Sequence, residues 1–544
     1  MAAVDVHESL GKVGLPAPIS ELAAREWDAI VVGGGHNGLA AAAYLARADR
    51  SVLVLERSER IGGACTLERP FEDNRYVVSP CAYVVGLLDA LVVEELGLHR
   101  RGYEVVIPNP NSWCPFPDGT SYAQYRDRDR TVAHMRDNGF AEDDIEGAIA
   151  YERTFDRIRQ RVRHGPRGDL WRQPSPSRAQ IEEILDDDEL IAVTFEEAIA
   201  ETIDRYVSDQ RLKDGLSIQG GIGAYAGPRD PGTAAMHLMH SQGDLENRGA
   251  EWGYVVGGMG RISFAIADAA IAAGATIAAG VPVARIIPGE GVETEAGDRF
   301  RAPIVLSNAD PKRALEMLEP ESVPPAYRER LEGWKMRSPV VKLNAGLKRL
   351  PTFTAAGEFD ATRAMIAVSP GLDAMQDAFE ACTRGEPAIG FCELYFQTPH
   401  DPTVAPPDRH TLSAFCQYGP YELAEGDWDS RRDEVGKQVL DAIAAYAPDI
   451  HECVEFVDVL GPPDIESRIG MTGGNIFHGE AMPDQMWDRR LEWRTPIEGF
   501  YMCGASTHPG GSVIALNGRG AAIAALEDAG EPVAAGERVY PHSE

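Results

Sequence analysis

One segment near the N-terminus constrains the fold more than any other part of the chain. The apolar, β-branched run Ala29–Val32 predicts a buried strand, and it leads directly into the turn 33–38, GGGHNG. An alanine-rich helix is predicted over 39–47, and residues 51–55 return as a second strand that ends in Glu56. Strand, G-x-G-x-x-G turn, helix, strand and acidic residue together predict a βαβ unit that binds a dinucleotide.

The residue types in this unit have separate physical roles. Gly33 permits the tight exit from the strand, Gly35 lets a pyrophosphate approach the backbone, and Gly38 lets helix and strand pack closely. The helix N-terminus offers free N–H groups and the positive end of its dipole. A carboxylate at Glu56 suits the ribose hydroxyls and repels a 2′-phosphate, which disfavours NADP. The predicted cofactor-binding residues here are Gly33, Gly35, His36, Asn37, Gly38, Glu56 and Arg57.

Composition limits the class of protein. The 544 residues include 85 acidic residues against 52 lysines and arginines, which gives a net charge of −33. A content of 44% hydrophobic and 25% charged residues is enough to bury a core, so wholesale disorder and a disulfide-stapled mini-fold are excluded. The acidic surface repels phosphates, so we expect no nucleic-acid partner and at most peripheral membrane contact.

The cysteines and the N-terminus bear on location. The eight cysteines form no CxxC pair and no cluster with histidines at zinc spacing. We therefore expect reduced structural thiols, no metal site and a reducing, cytoplasmic compartment. Residues 1–25 lack a basic segment followed by an apolar run, so they are interpreted as a flexible leader rather than a signal peptide.

A second glycine-rich region near the C-terminus favours FAD over NAD. The pair Gly62 and Gly63 could pass close to the same pyrophosphate as the first turn. Residues 500–503 predict a buried strand, Gly504 opens a loop, and a helix is predicted from about Ser512 to Asp528. A second helix N-terminus suits the N1/C2=O edge of an isoalloxazine, where negative charge accumulates on reduction. FAD is long enough to need both regions.

These motifs resemble the phytoene-desaturase-like FAD oxidoreductases. Within that group the chain most resembles the branch of pyridine nucleotide-disulphide oxidoreductase domain-containing protein 2. The resemblance covers about residues 27–530. It rests on the two glycine-rich regions and on four internal segments: residues 221–233 (GIGAYAGPRDPGT), 252–263 (WGYVVGGMGRIS), 338–353 (SPVVKLNAGLKRLPTF) and 473–485 (GGNIFHGEAMPDQ).

The resemblance implies an α/β fold in which a discontinuous FAD-binding Rossmann domain of the glutathione-reductase type is interleaved with an α+β substrate domain. The predicted boundaries are 26–117, 250–337 and 480–535 for the FAD-binding domain and 118–249 and 338–479 for the substrate-binding domain. In similar flavoproteins, the stretch that matches residues 281–283 meets the adenine through backbone groups. The further cofactor-binding residues are then Gly62, Gly63, Val283, Gly504, Pro509, Gly510 and Gly511.

No catalytic acid, base or nucleophile stands out, which suits chemistry carried by a flavin. The catalytic residues are unknown at this stage, with Lys342, His478 and His508 as weak candidates. Lys342 stands among apolar residues, and a lysine near flavin N5 can hold a water; the alternative is a stem packed on the sheet with its amine in solvent. The aromatic or polar candidates for a pocket are Tyr225, Trp252, Phe391, Tyr395, Phe396, Phe477 and His478. Aromatic residues are more often part of the core than of a site.

The leading function is an FAD-dependent oxidoreductase that moves hydride between flavin N5 and an apolar unsaturated substrate such as a polyene, isoprenoid or lipid. The alternatives are a flavin amine oxidase, a redox-neutral flavin isomerase and a lipid-escort protein of the same fold. A second βαβ nucleotide unit is missing, so we expect neither a pyridine nucleotide site nor a disulphide substrate. The electron acceptor stays open among oxygen, a quinone and another protein, and the oligomeric state stays open as well.

Overall fold

The computed structural model describes residues 4–357 and 359–530, which contain seventeen strands and eighteen α-helices. The strands are β1 (Ala29–Val32), β2 (Val52–Glu56), β3 (Val105–Val106), β4 (Ser112–Pro115), β5 (Ser121–Gln124), β6 (Tyr254–Val255), β7 (Thr276–Ala279), β8 (Val283–Ile287), β9 (Gly291–Thr294), β10 (Arg299–Arg301), β11 (Ile304–Ser307), β12 (Val340–Leu347), β13 (Met365–Val368), β14 (Phe391–Tyr395), β15 (His410–Gln417), β16 (Val454–Leu460) and β17 (Phe500–Met502).

The helices are α1 (Ile19–Ala23), α2 (His36–Arg47), α3 (Ala90–Leu96), α4 (Arg128–Asp137), α5 (Glu142–Arg163), α6 (Arg178–Leu185), α7 (Asp188–Phe195), α8 (Ile199–Asp204), α9 (Gln210–Gly221), α10 (Ala234–His240), α11 (Gly260–Ala272), α12 (Pro311–Met317), α13 (Pro325–Glu332), α14 (Leu372–Thr383), α15 (Trp428–Ala444), α16 (Ile450–Cys453), α17 (Pro462–Ile469) and α18 (Leu516–Asp528). In the part of the chain that is described, none of them combines the length and the apolar character that a bilayer-crossing helix requires.

A five-stranded parallel sheet, in the order β17-β11-β1-β2-β7, lies next to the glycine-rich turn. Its strands are buried apolar runs, as expected of a parallel sheet covered on both faces. Helices α2 and α18 pack on each other, and so do α2 and α11. This sheet confirms the predicted α/β class of Rossmann type, and its strands come from three separate stretches of sequence.

A second sheet has seven strands in the order β16-β12-β15-β14-β13-β4-β5 and is antiparallel except where β13 meets β4. Most of these strands come from residues predicted to form the substrate-binding domain. Strand β4, however, precedes the predicted boundary after residue 117 and pairs with β13 and β5. The division into domains stays a prediction, and its residues 531–535 lie outside the described part of the chain.

The N-terminal segment 4–25 differs from the expected flexible leader. Val6 and Leu22 are buried. The backbone carbonyl of Gly11 accepts a hydrogen bond from the Ile61 N–H at 3.0 Å, and that of Gly14 accepts one from the Ala279 N–H at 3.0 Å. The segment therefore packs on the first sheet and its neighbouring loops. This packing depends on two widely spaced apolar residues and on backbone contacts. Neither produces a periodic pattern, so the sequence did not predict it.

Candidate functional site

A cavity of about 740 Å³ extends from the first sheet to the second. Its wall at the first sheet includes Val32 and Leu55, and its wall at the second includes Lys342 and Phe415. The glycine-rich turn closes one end. Most of the predicted cofactor-binding residues of the N-terminal unit line this cavity: Gly33, Gly35, His36, Asn37, Glu56, Arg57, Gly62 and Gly63.

The turn has the geometry for which its glycines were predicted. Gly33 has φ +100°, a backbone conformation that favours glycine. A Cβ on Gly38 would lie 2.1 Å from the Gly33 carbonyl oxygen, so helix α2 approaches strand β1 too closely for any side chain there. Gly35 is tight for a second reason that the sequence did not reveal. A Cβ on Gly35 would lie 2.7 Å from Nδ2 of Asn308, another residue of the cavity wall.

Helix α2 begins at His36, three residues earlier than predicted, and no side chain caps its N-terminus. The amide groups of its first turn are therefore available to a ligand in the cavity. Two buried polar atoms in this turn, His36 Nε2 and Asn37 Oδ1, have no hydrogen-bond partner among the described residues. Burial lowers the pKa of His36 to about 4, so its imidazole is neutral at pH 7.

Glu56 ends strand β2 with its side chain buried. Its carboxylate accepts hydrogen bonds from the backbone N–H groups of Gly34 at 2.6 Å and Ser58 at 2.8 Å. Burial raises the pKa of Glu56, because desolvation disfavours the anion more than these hydrogen bonds favour it. The Gly62 N–H donates to the Gly34 carbonyl at 2.8 Å, which holds the second glycine pair beside the first turn.

The C-terminal region differs from the prediction in where its helix begins. Strand β17 ends at Met502, close to the predicted end, but α18 begins at Leu516 instead of near Ser512. Ser512 has φ +97° and Ala515 has φ +66°, and neither conformation belongs to a right-handed helix. The loop is therefore four residues longer than expected.

Different residues of this loop line the cavity than were predicted. Ala505, Ser512 and Val513 line the cavity, whereas Gly504, Pro509, Gly510 and Gly511 are not among its lining residues. A Cβ on Gly511 would lie 2.4 Å from Cβ of Phe477. The loop packs so closely on Phe477 that only glycine fits at position 511. Sequence reasoning missed Ser512 and Val513 because it assigned the approach to the glycines that precede them. Val283, at the start of β8, also lines the cavity.

The three weak catalytic candidates differ in whether they line the cavity. Lys342 and His478 line the cavity, and His478 Nδ1 is buried without a hydrogen-bond partner among the described residues. His508 is not part of the lining. Its Nε2 lies 2.9 Å from the Leu170 carbonyl oxygen, and burial lowers its pKa to about 4. His508 is therefore a neutral packing residue that ties the C-terminal loop to residue 170.

Lys342 is buried on β12 with its ammonium in the cavity wall. Nζ donates to Oδ1 of Asn344 at 2.7 Å and to Oγ of Ser413, and it lies 5.4 Å from the centre of the Tyr83 ring. Burial lowers its pKa to about 8, so most of the lysine is still protonated at pH 7. The expectation of a stem with its amine in solvent is wrong.

Sequence reasoning missed several titratable residues of the cavity, among them Glu152, His237, His240 and Glu393. Burial raises the pKa values of both Glu152 and Glu393 to about 7. A single glutamate inside the apolar strand FCELY was the signal that could have identified Glu393. Of the aromatic pocket candidates, Trp252, Tyr395 and Phe477 line the cavity, whereas Tyr225, Phe391 and Phe396 do not.

The residues present fit an FAD. The uncapped amides of α2 and the two neighbouring glycine-rich segments suit a pyrophosphate, and the buried carboxylate of Glu56 suits a ribose. The first turn of α2 also offers two buried polar atoms without a partner among the described residues. The cavity extends from this turn to the second sheet, so it is longer than a pyrophosphate and ribose alone require. This combination defines a flavin-dependent oxidoreductase.

Comparison with known proteins gives the family. Residues 38–518 match the family of flavin containing amine oxidoreductases, and the chain belongs to it. The chain is 33% identical to pyridine nucleotide-disulfide oxidoreductase domain-containing protein 2 of Rattus norvegicus over 546 residues, which cover 92% of this chain and 94% of the rat protein. It is 26% identical to one of the subunits of limonene dehydrogenase from Castellaniella defragrans over 549 residues, covering 93% and 95%.

The solved structure of cyclohexylamine oxidase from Brevibacterium oxydans is similar in fold, with a TM-score of 0.60 and 17% identity over 93% of this chain and all of that one. The resemblance in the sequence to phytoene-desaturase-like FAD oxidoreductases is confirmed. The chain is an FAD-dependent oxidoreductase. When bound, FAD supplies the two-electron chemistry that the side chains lack.

Proposed function

We propose that this oxidoreductase moves hydride between FAD and an apolar unsaturated substrate, such as a polyene, isoprenoid or lipid. The observation that supports this most is the wall of the cavity between the glycine-rich turn and the second sheet. Its side chains are mainly apolar or aromatic: Val84, Ile222, Trp252, Val340, Met365, Ile366, Phe415, Ile465, Ile469, Met471, Ile476 and Phe477. An apolar substrate gains free energy from burial against such a wall.

The likeness to the limonene dehydrogenase chain supports the same substrate class. The name of that relative places its activity on limonene, an unsaturated hydrocarbon. The two chains are similar over nearly their whole lengths, so the region that forms the cavity is included in the similarity. For this chain, oxidation of an isoprenoid or a related lipid remains a proposal.

We assign the FAD-binding roles by the same reasoning. Gly33, Gly35 and the first turn of α2 face the pyrophosphate, Glu56 accepts from the ribose, and Val283 meets the adenine. At the flavin end, Ser512 and Val513 take the place that the prediction gave to Gly510 and Gly511.

A flavin amine oxidase is the second candidate. The family that matches residues 38–518 carries amine oxidoreductase in its description, and the fold resembles that of cyclohexylamine oxidase. Glu393 lines the cavity and could accept hydrogen bonds from an ammonium. A lysine on the same face of the sheet opposes this reading, because two ammonium groups repel one another in a buried site.

The test is anaerobic reduction of the bound flavin. Purified holoenzyme is mixed with polyenes, isoprenoid alcohols, lipids and primary amines, and bleaching of the visible flavin absorbance is followed for each class. Bleaching by the unsaturated compounds and not by amines is the expected result. Bleaching by amines alone would replace the proposal with an amine oxidase. Turnover that needs prior reduction and leaves no net electron transfer would identify a redox-neutral isomerase.

Partners and location belong to the proposal as well. The returning electron acceptor is oxygen, a quinone or another protein, and reoxidation of the reduced holoenzyme by each of these distinguishes them. All eight cysteines are buried and free, in agreement with a reducing cytoplasmic location. We propose at most peripheral contact with membranes. Light scattering would measure whether the protein forms homo-oligomers.

A further inference from the structure

The cavity runs along the second sheet, across neighbouring strands. Six strands that follow one another in the sheet each contribute to its lining: β12 (Lys342), β15 (Phe415), β14 (Glu393), β13 (Ile366), β4 (Cys114) and β5 (Tyr122). Neighbouring strands lie ~4.8 Å apart, so the five spacings from β12 to β5 add up to roughly 24 Å. The cavity is therefore long in the direction that crosses the strands.

The cofactor approaches this sheet at β12. The glycine pair 62–63 is followed by Ala64, whose carbonyl oxygen accepts a hydrogen bond from the Ala82 N–H at 3.1 Å. The ring of the next residue, Tyr83, has its centre 5.4 Å from Nζ of Lys342 on β12. An FAD bound at the glycine-rich turn would therefore meet the sheet at β12. The four spacings from β15 to β5, roughly 19 Å, remain for a substrate.

A second cavity, of about 210 Å³, adjoins the far end of the first. Cys114 on β4 and Gly215 on α9 line both cavities, so the two cavities meet at these residues. Asp118 also belongs to the wall of the second cavity, and its side chain is 51% exposed. The second cavity therefore connects the far end of the first with the protein surface.

Gly215 lies in the interior of α9 without a backbone reason for glycine. Its φ is not among the positive values of the described chain, and a glycine inside a helix costs about 1 kcal/mol relative to alanine. A Cβ at this position would lie 3.0 Å from Sγ of Cys114. The absence of a side chain at Gly215 therefore keeps space between α9 and β4, where the two cavities meet.

The charged groups of the second cavity are already paired. Arg211 lies 2.7 Å from Asp209 and 3.6 Å from Asp118, and Asp214 accepts a hydrogen bond from the Leu372 N–H at 2.9 Å. The wall itself contains two aspartates and one arginine. This balance opposes an anionic group, so the cavity suits the neutral end of a chain.

We infer that the substrate is a long, neutral, linear chain that lies across the strands from β15 to β5, and that Cys114 and Gly215 form the constriction through which it enters. This inference rests on the proposed function and names the substrate class of the same site. An extended chain advances ~1.2 Å per backbone atom, so roughly 19 Å takes about sixteen carbons. A shorter chain would leave the wall at β4 and β5 uncovered and would gain less free energy from burial.

The test uses three isoprenoid alcohols whose main chains differ only in length: geraniol, farnesol and geranylgeraniol. Tritium-labelled probes are offered from the same cyclodextrin carrier, and the dissociation constant for the holoenzyme is measured from the label that stays with the protein. Each variant is compared with the wild type for the same probe, so differences in solubility between the probes cancel.

Gly215→Leu places a side chain in the connection between the two cavities. We expect it to weaken binding of geranylgeraniol about tenfold or more, because displacing two or more carbons from the wall has an effect of that size. Binding of geraniol is expected to stay unchanged. Lys213→Leu is the matched control, because Lys213 is on the same helix, is paired with Asp204 and lines neither cavity.

A milder pair of variants keeps the test decisive if Gly215→Leu does not fold. Gly215→Ala narrows the connection, and adding Cys114→Ala removes the thiol that the new Cβ would meet at 3.0 Å. We expect Gly215→Ala to weaken binding of geranylgeraniol and the double variant to restore it. FAD content and far-UV circular dichroism verify that each variant is folded.

The outcomes separate this inference from the proposed function. An equal loss for all three probes in Gly215→Leu, or no loss for any of them, would overturn the inference on chain length and leave the apolar substrate class intact. Failure of every probe to bind the wild type would remove both proposals. Loss of FAD from folded Gly215→Leu would show that the cofactor, and not the substrate, reaches α9.

Discussion

Gly35 faces two neighbours at once, a cofactor phosphate in the proposed site and the side chain of Asn308. We expect Gly35→Val to abolish FAD binding, because a branched side chain would fill the space of the pyrophosphate. The measurement is the FAD-to-protein ratio after reconstitution.

A double variant separates the two neighbours of Gly35. Asn308→Ala removes the amide that a Cβ at this position would meet at 2.7 Å. If Gly35→Val loses FAD only through that collision, adding Asn308→Ala would restore binding. We expect no restoration, and normal FAD content in either Val variant would show that the turn has a purely structural role.

We predict that Glu56 contributes measurably to FAD binding. Glu56→Ala is expected to weaken FAD binding by about 1–3 kcal/mol, because the ribose loses its acceptor and the N–H groups of Gly34 and Ser58 lose theirs. Glu56→Gln keeps one acceptor oxygen and should lose less. Titration of the apoprotein with FAD gives both values, and an unchanged affinity in Glu56→Ala would remove the ribose assignment.

At the scale of single residues, the geometry of the glycine-rich turn could be predicted from the sequence, whereas most of the cavity wall at the second sheet could not. The turn is local, so Gly33, Gly38 and Glu56 could be assigned from their spacing. Lys342, Glu393 and Glu152 line the same cavity only because the fold brings distant strands and helices together. Their shifted pKa values follow from burial in the folded chain, which one sequence does not specify.

The element that differs most from expectation is the loop between β17 and α18. The glycines at 510 and 511 suggested an immediate helix start, yet left-handed residues at 512 and 515 postpone it to Leu516. Conformations of this kind depend on tertiary surroundings, and the neighbouring Gly511 packs closely on Phe477, so spacing alone could not predict them. Strand β1 was easier, because it is a continuous apolar run, and it was predicted with its observed bounds.

Because Val513 lines the cavity, it is the position at which an added charge should change the reduction potential of the flavin. Val513→Asp would place a negative charge beside the proposed flavin edge and disfavour the anionic reduced state. A penalty of about 1–2 kcal/mol would lower the reduction potential by ~20–40 mV for a two-electron couple. Val513→Asn, of equal size and neutral, is the control. Equal potentials in the two variants would place the flavin edge elsewhere.

Helix α18 also depends on a glycine for its contact with α2. A Cβ on Gly518 would lie 2.0 Å from the Asn37 carbonyl oxygen, so Gly518→Ala forces the helices apart. We expect a loss of about 1–3 kcal/mol in the free energy of unfolding, measured by urea titration. Glu527→Ala, on the exposed end of the same helix, should change it little. Equal stability of the two variants would contradict this packing.

The whole molecule carries its net charge of −33 on a folded chain, so like charges repel over its surface. Raising ionic strength from about 0.01 M to 0.1 M shortens the screening length from ~30 Å to ~10 Å. We expect the melting temperature to rise by ~1–3 °C. Sodium chloride and choline chloride should act alike if screening is the cause, and a fall in both salts would mean that ion pairs outweigh the repulsion.

The packing of α18 on α2 also has a consequence for how the protein is made. The residues that line the cavity come from both ends of the described chain, with about 475 residues between Asn37 and Val513. During synthesis, the first βαβ unit leaves the ribosome long before its partner helix exists. We therefore expect stable capture of FAD to wait until β17 and α18 have been synthesised, so ribosome-bound nascent chains that end before β17 should be colourless.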